Sequence, residues 1–274
     1  MSTQVITDKQ DLRYLSWSLI RSSSGTAGSF LKATDDLTKP KTYYKLSNYD
    51  SINGIVGHEC INEIVVDRLL NILKIEHLHY DLIHAVIDIS GKEIETYLTS
   101  SKDFKVVGDS KITLDAYYEA ERLEKETPLE FCIRNGWEKE IYEMLLIDFL
   151  ILNRDRHGAN IEVLRNKNKK TIRLAPLFDH GLSLLFNCHT KDEIEKIDVL
   201  EDKPVQCFVG SRSAKDNLEL IPKNKLPKLN ELKTGDKKIL FEDLDGILPN
   251  YMLDKMWDMI WKRWEYYEDF CNKR

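Results

Sequence analysis

Cysteine is scarce in this sequence, and its few copies are too scattered to form a recognisable pattern. The 274 residues include five cysteines, with no C-x-x-C pair among them: Cys60, Cys132, Cys188, Cys207 and Cys271. Small disulfide-stapled proteins and zinc ribbons depend on closely spaced cysteines, so neither class fits this chain. We expect reduced, mostly buried thiols in a cytoplasmic protein.

The sequence also lacks a long apolar run, a signal-peptide pattern and an excess of positive charge. No apolar run approaches the ~20 residues of a membrane-spanning helix, and the polar start MSTQVITDKQ is not that of a secretory signal. The net charge of −6 provides no basic surface for nucleic acid. We therefore expect neither direct nucleic-acid binding nor membrane attachment.

Internal repeats and low-complexity linkers are absent as well. With 42% hydrophobic and 31% charged residues, the composition is that of an ordinary globular protein. A chain of 274 residues can bury a full hydrophobic core, and its length suits one large domain or two lobes.

The segment richest in chemistry lies between residues 145 and 185. An apolar run typical of a helix ends in the polar loop NRDRHGAN, and a predicted hairpin follows over residues 161–175. Asp155, Asn160 and Asp179 then stand in loops at one end of this hairpin. Phosphoryl transfer from a magnesium nucleotide needs such a set, because one carboxylate accepts the proton of the attacking hydroxyl while a second carboxylate and an amide oxygen hold the metal.

The order of these motifs is more informative than any one of them. Acidic loops after helices are usually caps or solvated turns, and a lone D-x-x-x-x-N would be weak evidence. Here residues 155–160 form D-x-H-x-x-N and residues 176–179 form P-x-x-D. In these motifs the segment resembles the HipA-like serine/threonine kinases, distant members of the protein-kinase-like fold. The phosphatidylinositol kinases also use D-R-H-x-x-N followed by D-x-G, so a lipid kinase remains an alternative.

The resemblance implies an α+β, two-lobed protein-kinase-like fold, with a β-rich N-lobe over residues 1–100 and a mostly helical C-lobe over residues 101–274. It also implies an ATP- and Mg²⁺-dependent serine/threonine protein kinase. In that interpretation Asp155 is the catalytic base, and Asn160 and Asp179 are the metal ligands.

The start of the chain predicts a hairpin with a small-residue tip. Residues 14–20 alternate well enough to predict a strand, the turn SSSGTAGS follows at residues 22–29, and residues 30–33 resume an apolar pattern. Small side chains let backbone N–H groups close on a phosphate. Many such segments only turn the chain, so the pattern alone is weak evidence.

A Ser-x-x-Gly loop lies over the nucleotide at this place in HipA-like kinases, and Ser22 and Gly25 match it. The resemblance implies that Ser24, Gly25 and Thr26 contact ATP and that the kinase phosphorylates its own Ser22. A phosphoserine carries about −1.5 to −2 charges at neutral pH. We therefore expect the modified loop to swing away from the triphosphate and release ATP.

Lys45 lies in a predicted aromatic strand over residues 42–46, and Glu63 lies in a predicted helix over residues 59–75. A strand lysine usually faces solvent, and so does a helical glutamate. The resemblance implies instead that Lys45 contacts ATP phosphates and that Glu63 holds the lysine in place. Glu59, one turn earlier, is the alternative partner, but Asn62-Glu63 matches an Asn-Glu pair of the family.

Periodicity predicts the remaining elements. They are a second hairpin over residues 80–98 that turns at Ser90-Gly91, and helices over residues 113–125, 129–135, 138–152 and 249–271. By position, the resemblance implies a hinge over residues 99–104 and an activation segment with a substrate platform over residues 186–210.

Three histidines fall close together near the end of the predicted N-lobe helix. His77 and His79 would share one face of a strand, and His84 follows a few residues later. No Cys, Asp or Glu completes a recognisable zinc spacing in the sequence. We therefore do not assign these histidines to a metal site from the sequence.

The identity of the substrate and partners is implied only by kinship. The resemblance implies an unidentified protein substrate, a toxin role in a toxin–antitoxin system and an antitoxin-like partner. Full-length HipA toxins carry a further N-terminal subdomain before the small-residue loop, so we expect a small stand-alone member that lacks it. Two more interpretations stay open on the same fold, namely a pseudokinase that acts as a binding module and an enzyme that transfers AMP.

Overall fold

The computed structural model describes residues 4–18 and 30–273. The predicted nucleotide-loop residues Ser22, Ser24, Gly25 and Thr26 lie outside the described residues.

The N-terminal part is built on a five-stranded sheet with the strand order β1-β6-β7-β3-β2. The strands of this part are β1 (Val5–Asp11), β2 (Lys32–Asp35), β3 (Thr42–Lys45), β4 (Tyr49–Asp50), β5 (Gly54–Ile55), β6 (Tyr80–Ile89) and β7 (Lys92–Lys102). β6 and β7 form the predicted hairpin, and Ser90 and Gly91 at its tip both have positive φ, at 56° and 83°. Such a two-residue turn matches the right-handed twist of the strands.

The first strand is not where the apolar alternation predicted it. Residues 13–15 form a turn, and of residues 14–18 only Ser18 makes a bridge, to Lys32. The edge strand is β1, which pairs in parallel with β6 and is mostly exposed. The strand prediction is therefore wrong for residues 14–17, and residues 19 and 20 lie outside the described residues. β1 was missed because a polar edge strand is held by backbone hydrogen bonds and shows no apolar period.

The N-terminal helix α1 (Glu59–Leu73) covers one face of this sheet and is buried along almost its whole length. Leu82 on β6 packs into the same large core as α1, whereas the next residue, Ile83, points into a smaller core on the other face. The alternation of side chains along a strand thus gives the sheet an apolar layer on each side. On β3, Tyr44 lies in the small core, which leaves Lys45 for the face that carries α1.

The C-terminal part is mostly helical. Its helices are α2 (Leu114–Glu121), α3 (Pro128–Arg134), α4 (Glu138–Leu150), α5 (Lys191–Glu195), α6 (Ala214–Glu219), α7 (Lys237–Leu240) and α8 (Asn250–Lys273). Its strands are β8 (Asp109–Thr113), β9 (Asp155–Arg156), β10 (Glu162–Asn166), β11 (Thr171–Leu174) and β12 (Gln206–Cys207). α4 contributes to the large core that also holds α1 and α8.

The predicted hairpin after the catalytic loop is present as β10 and β11, and β8 extends it to a three-stranded sheet in the order β11-β10-β8. β8 was not predicted, because its short polar sequence DSKIT has no clear alternation. β12 pairs in parallel with β9, which places Gln206 beside Asp155. The predicted catalytic loop (residues 153–160) is thus supported by the segment that follows the predicted metal loop (residues 176–181).

The described chain is thus an α+β protein with a sheet-rich N-terminal part and a mostly helical C-terminal part, as predicted. The predicted division between residues 100 and 101 remains a prediction. Among the described helices, none is both long and apolar enough to cross a membrane.

Candidate active site

Lys45 is the centre of a buried group of charges beside the cleft between the two parts. Its Nζ lies 2.5 Å from Oδ1 of Asp179 and 3.2 Å from Oε1 of Glu63. The side chain of Lys45 is 12% exposed and that of Glu63 is fully buried. A strand from the sheet, a helix and a loop thus each contribute one charged side chain to the same point.

Glu63, rather than Glu59, is the carboxylate that meets the strand lysine. Its second oxygen, Oε2, accepts a hydrogen bond from the backbone N–H of His180 at 2.8 Å. Glu59 instead accepts the backbone N–H of Asn48 at 3.0 Å. The helix therefore fixes both the lysine and the loop that carries Asp179.

Gly181 completes this arrangement because a side chain at this position would be tightly packed against α1. A Cβ atom at this position would lie 3.1 Å from Cβ of Glu59 and 3.4 Å from Oε1 of Glu63. The glycine of the D-H-G motif lets the loop approach α1 closely. The amide of Asn62 then donates to the carbonyls of Gly181 and Ser183, each at 2.9 Å.

A buried arginine joins the catalytic loop to the metal loop. Arg156 forms a two-point ion pair with Asp148 on α4, with N–O distances of 2.9 and 3.0 Å. Its third nitrogen donates to the carbonyls of Phe178 at 2.9 Å and Asn160 at 3.2 Å. A planar guanidinium can serve all these acceptors at once, which a lysine could not. Sequence reasoning missed this role, although Asp148 within the apolar run LLIDFL was a signal of a buried partner.

Asp155 is held within its own loop. The amide nitrogen of Asn160 donates to the backbone carbonyl of Asp155 at 2.9 Å and to its carboxylate at 3.3 Å. His157 lies 3.5 Å from the other carboxylate oxygen. Because the NH₂ group of Asn160 is used inside the loop, the ligand that it can offer a metal is its amide oxygen.

Asp179 adopts a backbone conformation that few residues tolerate. Its φ is +60°, in the left-handed region, where aspartate and asparagine are the commonest residues after glycine. Its backbone N–H donates to the hydroxyl of Tyr80 at 3.3 Å. Unusual backbone angles of this kind cluster at functional sites, where the surrounding structure holds them.

The charges of this group shift one another's proton affinity. Burial disfavours a charged lysine, but Asp179 and Glu63 hold the pKa of Lys45 well above its ordinary value. Burial also opposes ionisation of Asp179, yet Lys45 and then Lys32 bring its pKa below the usual range. Burial raises the pKa of Asp155; His157 acts in the opposite direction and Asp179 adds to the rise. Asp179 is therefore ionised, while Asp155 is a stronger proton acceptor than an ordinary aspartate.

A cleft of about 430 Å³ opens beside these residues. Its walls come from the sheet, from the connection after β7 and from the loops of the C-terminal part, and include Lys32, Lys45, Thr99, Ser101, Asp103, Phe104, Asn160, Phe178 and Asp179. The rings of Phe104 and Phe178 lie 6.0 Å apart. The cleft is in the size range of small-molecule sites, and its lining combines these aromatic rings with charged side chains.

The structure brings most of the predicted site residues together. Lys45, Asn160 and Asp179 line the cleft, and Glu63 contacts Lys45 from behind. Asp155 is not among the described residues that line the cleft. It accepts a hydrogen bond from Asn160, and Asn160 does line the cleft. The predicted hinge, residues 99–104, supplies part of the wall.

Lys32 is a further basic residue of the cleft that sequence reasoning did not single out. It lies on β2 opposite Lys45 in the strand pairing. Desolvation lowers the pKa of Lys32, although the carboxylate of Asp179 acts in the opposite direction. The only sequence signal was its place directly after the small-residue loop, on a strand that pairs with the strand of Lys45.

The donor atoms of the cleft suit a magnesium nucleotide. The carboxylate of Asp179 and the amide of Asn160 are hard oxygen ligands, the type that Mg²⁺ prefers. Lys32 and Lys45 provide cationic groups for phosphate oxygens on the same side. The residues present therefore fit both the metal and the triphosphate that the sequence resemblance implies.

Comparisons with known proteins agree with this architecture. No protein-family model and no curated protein sequence matches the chain. Among solved structures, the Helicobacter pylori proinflammatory kinase CtkA is similar with a TM-score of 0.56 and 16% identity, over 92% of this chain and 93% of the kinase. HipA of Shewanella oneidensis, solved with HipB and operator DNA, gives a TM-score of 0.44 and 14% identity, over 88% of this chain and 57% of HipA.

The likeness to CtkA extends over nearly the whole of both chains and establishes the fold. The predicted kinase-like fold is therefore confirmed. At this identity the comparison speaks for the fold alone, and the chemistry has to be argued from the site.

Proposed function

We propose that this protein is an ATP- and Mg²⁺-dependent kinase that transfers the γ-phosphoryl group to a serine or threonine hydroxyl of a protein. One observation carries the proposal. Lys45 from the sheet meets Glu63 from the helix and Asp179 from the loop beside a cleft whose opposite wall carries Asn160. Lysine, glutamate, asparagine and aspartate in this arrangement are the parts that position a magnesium nucleotide in protein kinases.

Each residue has a separate task in this proposal. Lys45, held by Glu63, contacts phosphate oxygens, and Lys32 lies close enough in the cleft to add a second positive charge. Asp179 and Asn160 would hold magnesium, which when bound neutralises the charge that develops on the phosphates. Most of the rate enhancement then comes from positioning and charge neutralisation rather than from covalent catalysis.

Asp155 would accept the proton of the substrate hydroxyl. Its position beside Asn160, outside the wall of the cleft, is suited to a group that meets the acceptor substrate rather than the nucleotide. Burial raises the pKa of Asp155, which makes the carboxylate a better base than one in water. Asn160 fixes its orientation through two hydrogen bonds.

The aromatic part of the cleft would receive the nucleoside base. Phe104 and Phe178 provide aromatic surface there, and the chain at residues 101–103 runs along the wall. An aromatic ring can stack on a purine while neighbouring backbone groups form hydrogen bonds with its edge. The choice of ATP as nucleotide, like the choice of protein as substrate, is part of the proposal.

The likeness to a kinase across nearly the whole chain supports phosphoryl transfer as the activity. We also propose a toxin role, an antitoxin-like partner and a cytoplasmic location. These three proposals rest on the sequence resemblance and on the composition. The geometry of the cleft bears on phosphoryl transfer and not on these three proposals.

Label transfer from ATP tests the function. Full-length protein is incubated with Mg²⁺ and either γ-labelled or α-labelled ATP, with the protein itself, casein or phosphatidylinositol vesicles as acceptor. We expect γ-label on protein and no transfer from α-labelled ATP. Asp155→Asn should lower transfer by about 100-fold or more.

The remaining outcomes would overturn the proposal in distinguishable ways. Label from α-labelled ATP would indicate AMP transfer, and label in the vesicles alone would indicate a lipid kinase. Saturable ATP binding without transfer in the wild-type protein would indicate a binding module that has kept the fold.

Self-phosphorylation of Ser22 is a further part of the proposal, carried by the sequence resemblance because Ser22 lies outside the described residues. Mass spectrometry of the wild-type protein after incubation with Mg²⁺–ATP should find phosphate on Ser22, and the Asp155→Asn variant should lack it. The modified protein should bind ATP more weakly, because a phosphoserine repels the triphosphate. An unmodified loop in an active enzyme would contradict this prediction, as would undiminished ATP binding by the phosphorylated protein.

A further inference from the structure

A second group of metal-binding residues lies away from the catalytic loop, at the junction of α1 and the strand β6. Asp67, His77 and His79 each offer one potential ligand atom, and all three atoms lie within 4.8 Å of one another. Among the described residues, this is the one such group of three or more His, Cys, Asp or Glu side chains. In the sequence, no Cys, Asp or Glu at a recognisable zinc spacing accompanies these two histidines.

The fold supplies the missing carboxylate. The helix α1 ends at Lys74, which adopts a left-handed conformation with φ of 63° and turns the chain back on itself. His77 and His79 are thereby returned to the side of the helix on which Asp67 lies. Oδ1 of Asp67 is 3.2 Å from Nε2 of His77 and 3.2 Å from Nδ1 of His79.

The contacts of His77 show which ring nitrogen faces Asp67. Its Nδ1 lies 2.7 Å from the carbonyl oxygen of Ile75, and since a carbonyl can only accept, Nδ1 carries the proton. In a neutral imidazole the other nitrogen, Nε2, then presents a lone pair. That lone pair would face a carboxylate oxygen, so this contact requires either a second proton on the imidazole or a metal cation between the two atoms. A histidine that donates one N–H to a backbone carbonyl while its other nitrogen faces a metal is the usual arrangement in zinc sites.

The carboxylate is also held in place. Asp67 is 1% exposed, and its Oδ1 accepts the backbone N–H of Tyr80 at 3.1 Å while its Oδ2 accepts the amide of Asn71 at 3.0 Å. Ligands around a tetrahedral zinc with bonds of about 2.0 Å are about 3.3 Å apart. Both histidine-to-aspartate distances of 3.2 Å match this spacing.

We propose that Asp67, His77 and His79 bind one divalent cation of the zinc type. His77 and Asp67 form the buried side of the site, and the side chain of His79, which is 40% exposed, forms the side that opens to solvent. Water would complete the tetrahedron from that side. Two imidazoles and one carboxylate suit zinc better than magnesium, which prefers oxygen ligands.

The bound cation would fasten α1 to the segments around the active site. His77 forms a bridge with Leu177, and the backbone N–H of Leu78 donates to the carbonyl of Leu177 at 2.8 Å. Leu177 stands two residues before Asp179 in the metal loop. Zinc at this point would therefore hold together the helix that carries Glu63 and the loop that carries Asp179, without taking part in phosphoryl transfer.

Zinc binding by the full-length, tag-free protein tests the proposal. After treatment with a chelator, the protein is titrated with Zn²⁺ in the presence of excess Mg²⁺, which competes at the nucleotide site. We expect one tight equivalent of zinc, a rise in melting temperature, and a visible spectrum typical of tetrahedral coordination when Co²⁺ replaces Zn²⁺. His79→Ala should weaken zinc binding by at least about 100-fold, because it removes a direct ligand.

His84→Ala is the matched control, since His84 lies on β6, shortly after the proposed ligands, but contacts Glu95 and the carbonyl of Thr7. It should bind zinc as the wild type does. His79 is partly exposed, so its replacement is compatible with folding even where His77→Ala is not. The proposal is wrong if the wild-type protein takes up no stoichiometric zinc, or if His79→Ala and His84→Ala bind it equally; a shared proton would then bridge His77 and Asp67.

Discussion

The ion pairs around Lys45 show why single charges matter at this site. Lys45 is the shared partner of Glu63 and Asp179, and all three side chains are largely withdrawn from water. Removing one member leaves the others as buried charges without full compensation, which costs more than the pair contributes when intact. Neutral variants of similar shape therefore separate the role of charge from the role of packing.

Glu63→Gln should lower kcat/KM for phosphoryl transfer by about 10-fold or more, because the uncharged amide no longer holds Lys45 for the phosphates. Its side-chain oxygen can still accept the N–H of His180, so the fold should persist. Glu59→Gln is the matched control one turn away, where the carboxylate accepts the backbone N–H of Asn48. Steady-state kinetics with circular dichroism as a folding check decide the matter. A larger loss in Glu59→Gln than in Glu63→Gln would contradict the assignment.

A buried histidine makes stability depend on pH. Burial, together with nearby His189, lowers the pKa of His58 from 6.5 to about 4. Between these values the unfolded chain binds a proton that the native state does not, so stability falls as the pH decreases. The loss attributable to His58 is about 2 kcal/mol at pH 5. His180, whose pKa burial also lowers, acts in the same direction.

Urea unfolding of the wild type and of His58→Gln between pH 8 and about pH 5 measures this contribution. The variant should lose less stability over that range, because one of the groups that titrates on unfolding is gone. His84→Gln, at a partly exposed position on the sheet, serves as the control for removing a histidine. An equal pH dependence in the wild type and His58→Gln would contradict the prediction.

At the level of single residues, the sequence predicts those functional groups that lie close to one another along the chain. Asp155, Asn160 and Asp179 fall within one short segment, and their spacing alone indicates a phosphoryl-transfer site. Their support is less apparent: Arg156 stands next to Asp155 in the sequence, but the carboxylate with which it pairs, that of Asp148, lies on the preceding helix. Asp67 joins two histidines only after the chain turns back at Lys74. Such contacts depend on tertiary structure and leave no local pattern.

Among the elements, the long helix α8 is anchored by one buried arginine. Arg263 is fully buried, and its guanidinium donates to the carbonyls of Val199 at 2.8 Å, Phe149 at 3.0 Å and Glu201 at 2.7 Å. Burial lowers the pKa of Arg263 to about 10. The contacts connect α8 both to α4, which leads into the catalytic loop, and to the segment after the metal loop.

Arg263→Met should reduce the free energy of unfolding by about 3 kcal/mol, since it leaves three carbonyls without their donor, those of Val199 and Phe149 in buried hydrogen bonds and that of Glu201 in a partly buried one. Lys262→Met, the neighbouring exposed residue that pairs with Glu265, should leave it nearly unchanged. Chemical denaturation with an unchanged m-value is the measurement. Equal effects of the two substitutions would show that the buried hydrogen bonds do not anchor the helix.

Elements with strong periodicity were predictable, and those held by backbone pairing were not. The helix α1 and the hairpin of β6 and β7 appear close to their predicted positions because their apolar residues recur at a clear spacing. β1 and β8 are polar and short, so their assignment requires the partner strand to which they bond. The aromatic residues of α8 lie largely in the core, which is the commoner use of such a stripe.

On the scale of the whole molecule, the cleft lies where three parts of the chain meet. The sheet supplies Lys45, the helix packed against the large core supplies Glu63, and the loops of the C-terminal part supply Asn160 and Asp179. The fold, which is similar to that of CtkA over nearly all of both chains, brings these distant parts of the sequence together. The aromatic contact between Phe104 and Phe178 could not be predicted, because Phe178 occupies a variable position of the P-x-x-D motif and Phe104 stands in no motif.

The central claim is that this cleft binds Mg²⁺–ATP through Asp179 while Asp155 acts in the chemical step. Calorimetric titration of Mg²⁺–ATP into the wild-type protein, Asp155→Asn and Asp179→Asn tests it most directly. We expect Asp155→Asn to bind Mg²⁺–ATP nearly as well as the wild type although it transfers no phosphate, and Asp179→Asn to lose the magnesium-dependent part of the affinity. Loss of binding in Asp155→Asn with full binding in Asp179→Asn would reverse the two roles, and a wild-type protein that binds no Mg²⁺–ATP would contradict the account.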